Sequence, residues 1–305
     1  MIGSRNCWIY SLKIIPVFVV VAFVCLSSPA QSSQDKIPVS VSIPPLKYML
    51  KQVAGERVQV SVMVPAGANP ATYEPKTRQM TGLSDTEIYF AIGVPFESSW
   101  LKKFSKVNKE MRIVRLDREV KKRTLATDYE DKADLDQEGS EMNRDPHVWL
   151  SPALMRIMSS KVMRVLSGMD PGNKALYQKN YLEFSREINQ LDKRILDVFS
   201  GTGERRDCFM SLHPAWGYLA RDYGLKQIPI ELEGKAPGPR EMKKVMGVAK
   251  DKGIDTIFVQ PQFSGKEART IAKSINAQVV DLDPLAYDWS DNLLEMAKKI
   301  SKALR

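Results

Sequence analysis

Residues 177–198 constrain the fold more than any other stretch of the chain. Tyr177, Tyr181, Phe184, Ile188, Leu191, Ile195 and Val198 recur at spacings of 4, 3, 4, 3, 4 and 3. That is one unbroken apolar stripe along an α-helix. Asp170 and Pro171 supply an N-cap and a first helical position, and Gly201 follows the last periodic residue. From Pro171 the helix is expected to run for about 29 residues, roughly 43 Å at 1.5 Å per residue. An ordinary crossover helix is shorter. A rod of this length can lie along the back of two lobes and hold them together.

On either side of the rod, strand and helix alternate. Before it, strands are expected at Ile37–Ser42, Val58–Val64, Ile88–Ile92 and Arg112–Leu116, with helical patterns at Leu46–Val53 and around Trp100–Phe104. After it come strands at Cys208–Leu212, Gln227–Leu232, Asp255–Gln260 and Gln278–Leu282. Helices at 215–223, 239–251, 265–275 and 290–304 follow them in turn. The fold class is therefore α/β, with two (β/α)4-type lobes, parallel sheets and one long rigid linking helix. The expected division is a signal peptide over 1–30, an N-terminal lobe over 31–169, the linking helix over 170–201 and a C-terminal lobe over 202–305.

The first thirty residues read as an export signal. Arg5 and Lys13 precede an apolar run from Ile14 to Leu26, and Ser28 and Ala30 form a small-x-small end, with cleavage expected after Ala30. The run is shorter than the ~20 residues of a bilayer span. Cys25 follows Val24, not the small residue a lipoprotein signal wants, so a periplasmic protein is expected. Cys7 and Cys25 lie in this leader and leave Cys208 alone, which rules out an internal disulfide and cysteine-rich zinc sites. The chain carries a formal charge of +9, yet residues 128–145 hold eight acids against two basic residues and lack apolar periodicity, as a solvated loop does. No basic run is interleaved with aromatics, so nucleic acid is not an expected partner.

Only two histidines exist, His147 and His213. His213 follows one expected strand of the second lobe and Asp283 follows another. Ligands of open α/β sheets bind beyond the carboxyl ends of the strands, so both residues belong to one rim. His147 sits just ahead of the helix start Ser151-Pro152 in the first lobe. Two imidazoles and a carboxylate drawn from two lobes would make a metal site. Zn2+ accepts such ligands, and Mn2+ and Fe2+ accept them too.

At these residues the chain resembles the ZnuA/TroA-like metal-binding receptors of ABC importers. The resemblance rests on Gly67-Ala68-Asn69-Pro70-Ala71-Thr72-Tyr73-Glu74-Pro75, Asp145-Pro146-His147-Val148-Trp149-Leu150-Ser151-Pro152, His213-Pro214-Ala215-Trp216-Gly217-Tyr218, Glu233-Gly234-Lys235-Ala236-Pro237-Gly238-Pro239 and Asp281-Leu282-Asp283-Pro284-Leu285. It implies a divalent cation held between two lobes by His147, His213 and Asp283 and passed to a membrane ABC permease by a monomeric receptor. Zinc is the expected cargo, with manganese or iron as alternatives. The resemblance also places the family's first ligand, a histidine, where this chain has Ala71. A water could complete the set, Glu74 or an acidic-loop residue could swing in, or the site could be degraded. A receptor for a metal chelate and an adhesin-like surface protein stay open as alternatives. A metal-dependent enzyme is a weaker one, because G-x-S-x-G and H-E-x-x-H are both missing.

Overall fold

The computed structural model describes residues 36–125, 144–201, 206–231 and 238–305. The leader, nearly all of the acidic loop and the Glu233–Pro237 turn lie outside these residues. No described helix is long and apolar enough to cross a membrane.

Among the described residues, eight strands form two sheets. The first contains β1 (Ile37–Val41), β2 (Val58–Val62), β3 (Ile88–Ala91) and β4 (Arg112–Arg115), in the order β2-β1-β3-β4. The second contains β5 (Cys208–Ser211), β6 (Lys226–Pro229), β7 (Thr256–Val259) and β8 (Gln278–Asp281), in the order β6-β5-β7-β8. Every pairing within these two sheets is parallel. Most strands are a residue or two shorter than their expected ranges, although the residue just past the strand still donates to its neighbour, as Leu116 does to the Ala91 carbonyl, Leu212 to that of Phe258 and Leu282 to that of Val259, each at 2.8 Å. Helices α1 (Pro44–Ala54), α2 (Thr77–Gly82) and α3 (Pro95–Val107) belong to the first half, with α4 (Pro152–Met169) and α5 (Lys174–Phe199) behind it. The second half adds α6 (Gly217–Asp222), α7 (Pro239–Asp251), α8 (Lys266–Ile275) and α9 (Trp289–Ala303).

The linking segment differs from expectation at its start. Residues Pro171–Asn173 make a single 3-10 turn, and the α-helix begins at Lys174. The Asp170 carboxylate does not cap the backbone. Instead it accepts hydrogen bonds from Tyr177 Oη (2.6 Å), Asn173 Nδ2 (2.9 Å) and Arg57 Nη2 (3.2 Å). Side-chain donors outcompete the backbone for its oxygens, and the bond from Arg57 ties this turn to the 3-10 turn Gly55–Arg57 that follows α1. The buried stripe runs Tyr177, Phe184, Ile188, Leu191, Ile195 and Phe199, so the last contact is Phe199 and Val198 is only half-buried. Helix α4 starts as Ser151-Pro152 suggests, with Ser151 Oγ accepting from the Leu154 amide at 3.3 Å.

One apolar core joins the first sheet, α1, α4, the stripe of α5 and the inner face of α9 (Leu293, Ala297, Ile300). It includes Phe209 of β5 and Phe258 of β7. Their strand neighbours Met210 and Ile257 point to the opposite face of the second sheet and join a separate cluster under α7 and α8. Because both sheets share one strand order, each has its topological switch point between its two central strands, and the carboxyl ends of those strands form the crevice where ligands bind.

Candidate metal centre

His213 leaves the carboxyl end of β5, a central strand of the second sheet. His147 ends the short Asp145-Pro146 lead into the 3-10 turn Val148–Leu150. The structure brings these two histidines together. Their Nε2 atoms are 3.4 Å apart and the rings meet edge to face, centroids 5.2 Å apart. His147 is buried and His213 is partly open.

Each imidazole is held from behind by a carboxylate. Asp145 Oδ1 lies 2.8 Å from His147 Nδ1 and also accepts from the His147 amide at 3.0 Å. Glu231 Oε2, just past β6, lies 2.8 Å from His213 Nδ1. A carboxylate only accepts hydrogen bonds, so each Nδ1 carries the ring proton and each Nε2 of a neutral ring presents a lone pair. Burial lowers the His147 pKa, Asp145 opposes that shift by hydrogen bond and charge, and His213 adds to it. Two lone pairs therefore face each other, an arrangement that a cation satisfies. For zinc–nitrogen bonds of 2.0–2.1 Å in tetrahedral geometry the edge between two ligand nitrogens is about 3.4 Å.

Asp283 is placed differently. It follows β8, and β7 lies between β8 and β5, so roughly 10 Å of sheet separates the two strands. Its Oδ1 accepts from Gln262 Nε2 at 2.7 Å and from the Leu285 amide at 2.9 Å. Gln262 comes from the loop after β7, the strand between β5 and β8. Among the described residues, no three His, Cys, Asp or Glu side chains are gathered into one metal-holding group. Ala71 and Glu74 sit on an exposed turn, where the Ala71 amide donates to Asn69 Oδ1 at 2.8 Å.

Neither supporting carboxylate stands out from the sequence alone. Glu231 follows β6 on the same rim as His213, where the strand-end rule could have found it, and the signal for Asp145 is its place two residues before His147.

Two parallel α/β halves on one long helix, with a carboxylate-backed imidazole pair where they meet, define a metal-binding receptor of the two-lobed kind. The chain belongs to the family described as ZnuA, the periplasmic component A of a zinc-uptake complex, whose model matches residues 39–305. It is 27% identical to the high-affinity zinc uptake system protein ZnuA of Bacillus subtilis, over 84% of this chain and 81% of that one. It is 23% identical to the manganese ABC transporter substrate-binding lipoprotein PsaA of Streptococcus mitis, over 95% and 92% of the two chains. Its fold matches a crystal structure of ZnuA with a TM-score of 0.80 and 37% identity, covering 88% of this chain and 99% of that one. The protein is thus the metal-binding, substrate-binding component of an ABC transporter, from an extracytoplasmic family, and not an enzyme.

Proposed function

We propose that this protein captures Zn2+ where its two halves meet and delivers it to a membrane permease. His147, His213 and Asp283 are the assigned ligands. The observation that carries this reading is the pair of Nε2 atoms 3.4 Å apart, each on a ring whose other nitrogen is engaged by a carboxylate. That spacing suits a tetrahedral zinc edge, and paired imidazoles suit zinc better than the oxygen-rich shells of manganese. The names of the zinc-uptake relatives support the same cargo. With Ala71 in the first position, water fills the fourth corner, as it does in open zinc sites. The receptor acts as a monomer, with lobes 31–169 and 202–305 joined by 170–201, after export with cleavage following Ala30.

Isothermal titration of metal-free protein tests the assignment. One tight zinc site is expected, and it should be lost in His147→Ala and in His213→Ala. Asp283→Ala should weaken it at least tenfold. Undiminished zinc binding in both histidine variants would overturn the reading. Tighter binding of Mn2+ than of Zn2+ would change the cargo while keeping the site.

A further inference from the structure

His147 belongs by chain position to the first half, but its segment is fastened to the second. Four hydrogen bonds do this. Tyr218 Oη, on α6, donates to the Asp145 carbonyl at 3.1 Å. Trp149 Nε1 donates to the Pro284 carbonyl at 2.7 Å, and Trp289 Nε1, at the start of α9, returns a bond of 2.7 Å to the Trp149 carbonyl. Ser151 Oγ donates to the Asp222 carboxylate at the end of α6. Both indoles are buried, so these bonds are shielded from water. The second half contributes a partner at three of its elements to a stretch of only seven residues.

The clasp reaches both ends of the assigned site. Trp149 is two residues from His147, and its ring lies 5.3 Å from the imidazole. Pro284, which receives the Trp149 indole, directly follows Asp283, whose own carbonyl accepts from Asn292 Nδ2 of α9 at 2.7 Å. Moving His147 away from His213 would break indole hydrogen bonds that lie buried, away from solvent.

We propose that Tyr218, Asp222, Trp149 and Trp289 are positioning residues that set His147 against His213 before any ion arrives. The imidazole pair is then a preformed unit fastened to the second half. This rests on the zinc-site reading for its consequence, though the clasp itself is a property of the metal-free protein.

Hydrogen exchange and zinc kinetics, measured on the full mature chain, test it together. In metal-free Trp289→Phe, which keeps the ring and loses the donor, amides of residues 145–151 should exchange at least about fivefold faster, the loss expected for one buried hydrogen bond. Amides of β1 and β5 should keep their protection. Zinc should leave that variant at least about fivefold faster, with the association rate unchanged. Tyr218→Phe should behave alike, and it decides the question if Trp289→Phe does not fold. Unchanged exchange at 145–151 in both variants overturns the clasp. Faster exchange with unchanged zinc release reduces it to packing and overturns the positioning role. If the parent protein takes up no zinc, the site reading fails, and the exchange measurement still decides whether the clasp holds.

Discussion

The phenyl ring of Phe263 lies nearly parallel to the imidazole of His213, with centroids 4.9 Å apart and planes inclined by 26°. With Glu231 fixing Nδ1, the stack leaves His213 one ring orientation. An aromatic pair of this kind contributes about 0.5–1.5 kcal/mol beyond the area it buries. Phe263→Ala should therefore weaken zinc binding by about two- to tenfold, while His213→Ala abolishes it. Titration calorimetry at neutral pH separates the two. Equal losses in both variants would mean that the alanine at 263 has dismantled the loop and not only freed the ring.

A second expectation concerns Glu97, buried beneath the first sheet's carboxyl rim. Its carboxyl meets Ser42 Oγ and the amides of Ile92 and Gly93. Burial raises its pKa from 4.5 to about 7 against those hydrogen bonds. The folded protein thus holds a proton that the unfolded chain releases near 4.5. The resulting stabilisation is complete below pH 4.5 and is lost as pH rises through about 7. Glu97→Gln has no such proton to lose, so its urea midpoint should gain on the parent's between pH 5 and pH 7.5. A constant difference across that range would refute the assignment.

Gly93 makes a third test. Its φ is +86°, and a β-carbon there would lie 2.4 Å from both Asp117 Oδ2 and Lys122 Nζ. Backbone strain and displacement of that ion pair act together in Gly93→Ala. A loss of about 2–3 kcal/mol is expected, a drop of several degrees in Tm for a chain of this size. An unchanged Tm would show that the two side chains swing aside at no cost.

The turn before the long helix supplies a fourth. The Tyr177 hydroxyl donates to the Asp170 carboxylate, whose pKa is lowered by Tyr177, Asn173 and Arg57 against the opposing effect of burial. Tyr177→Phe removes one charge-assisted bond and should cost about 1.5 kcal/mol in urea unfolding at neutral pH. The difference should shrink below pH 4 as Asp170 takes up a proton. A difference that persists in acid would point to packing around the ring.

Much of this molecule is legible in its residues because its regularities are local. The stripe from Tyr177 to Ile195 announces the long helix, and the continuous apolar run from Ile88 to Ile92 announces a strand buried on both faces. Helix α4 announces its start through Ser151-Pro152, and Leu154, Met155, Met158, Val162, Val165 and Leu166 carry its period up to the break at Pro171. What escaped is what depends on neighbours far along the chain. Glu231 stands 18 residues from His213, and the pairing of β5 with β6 is what makes them partners. Asp170 has the composition of a cap, but Arg57, 113 residues away, competes for it. That β8, which leads to Asp283, is not the neighbour of β5, which leads to His213, is set by the strand order β6-β5-β7-β8, an order that no window of residues encodes.

The apolar cluster that passes from the first sheet through the long helix into α9 has a mechanical corollary. Because one cluster holds the first sheet, α5 and α9 together, the two halves are expected to melt as one, and calorimetry should record a single cooperative transition. The outer layer beneath α7 and α8 shares no such glue. It is the soft flank of an otherwise stiff body, the place where amide protons should be released first and where an intruding protease should find its earliest opening.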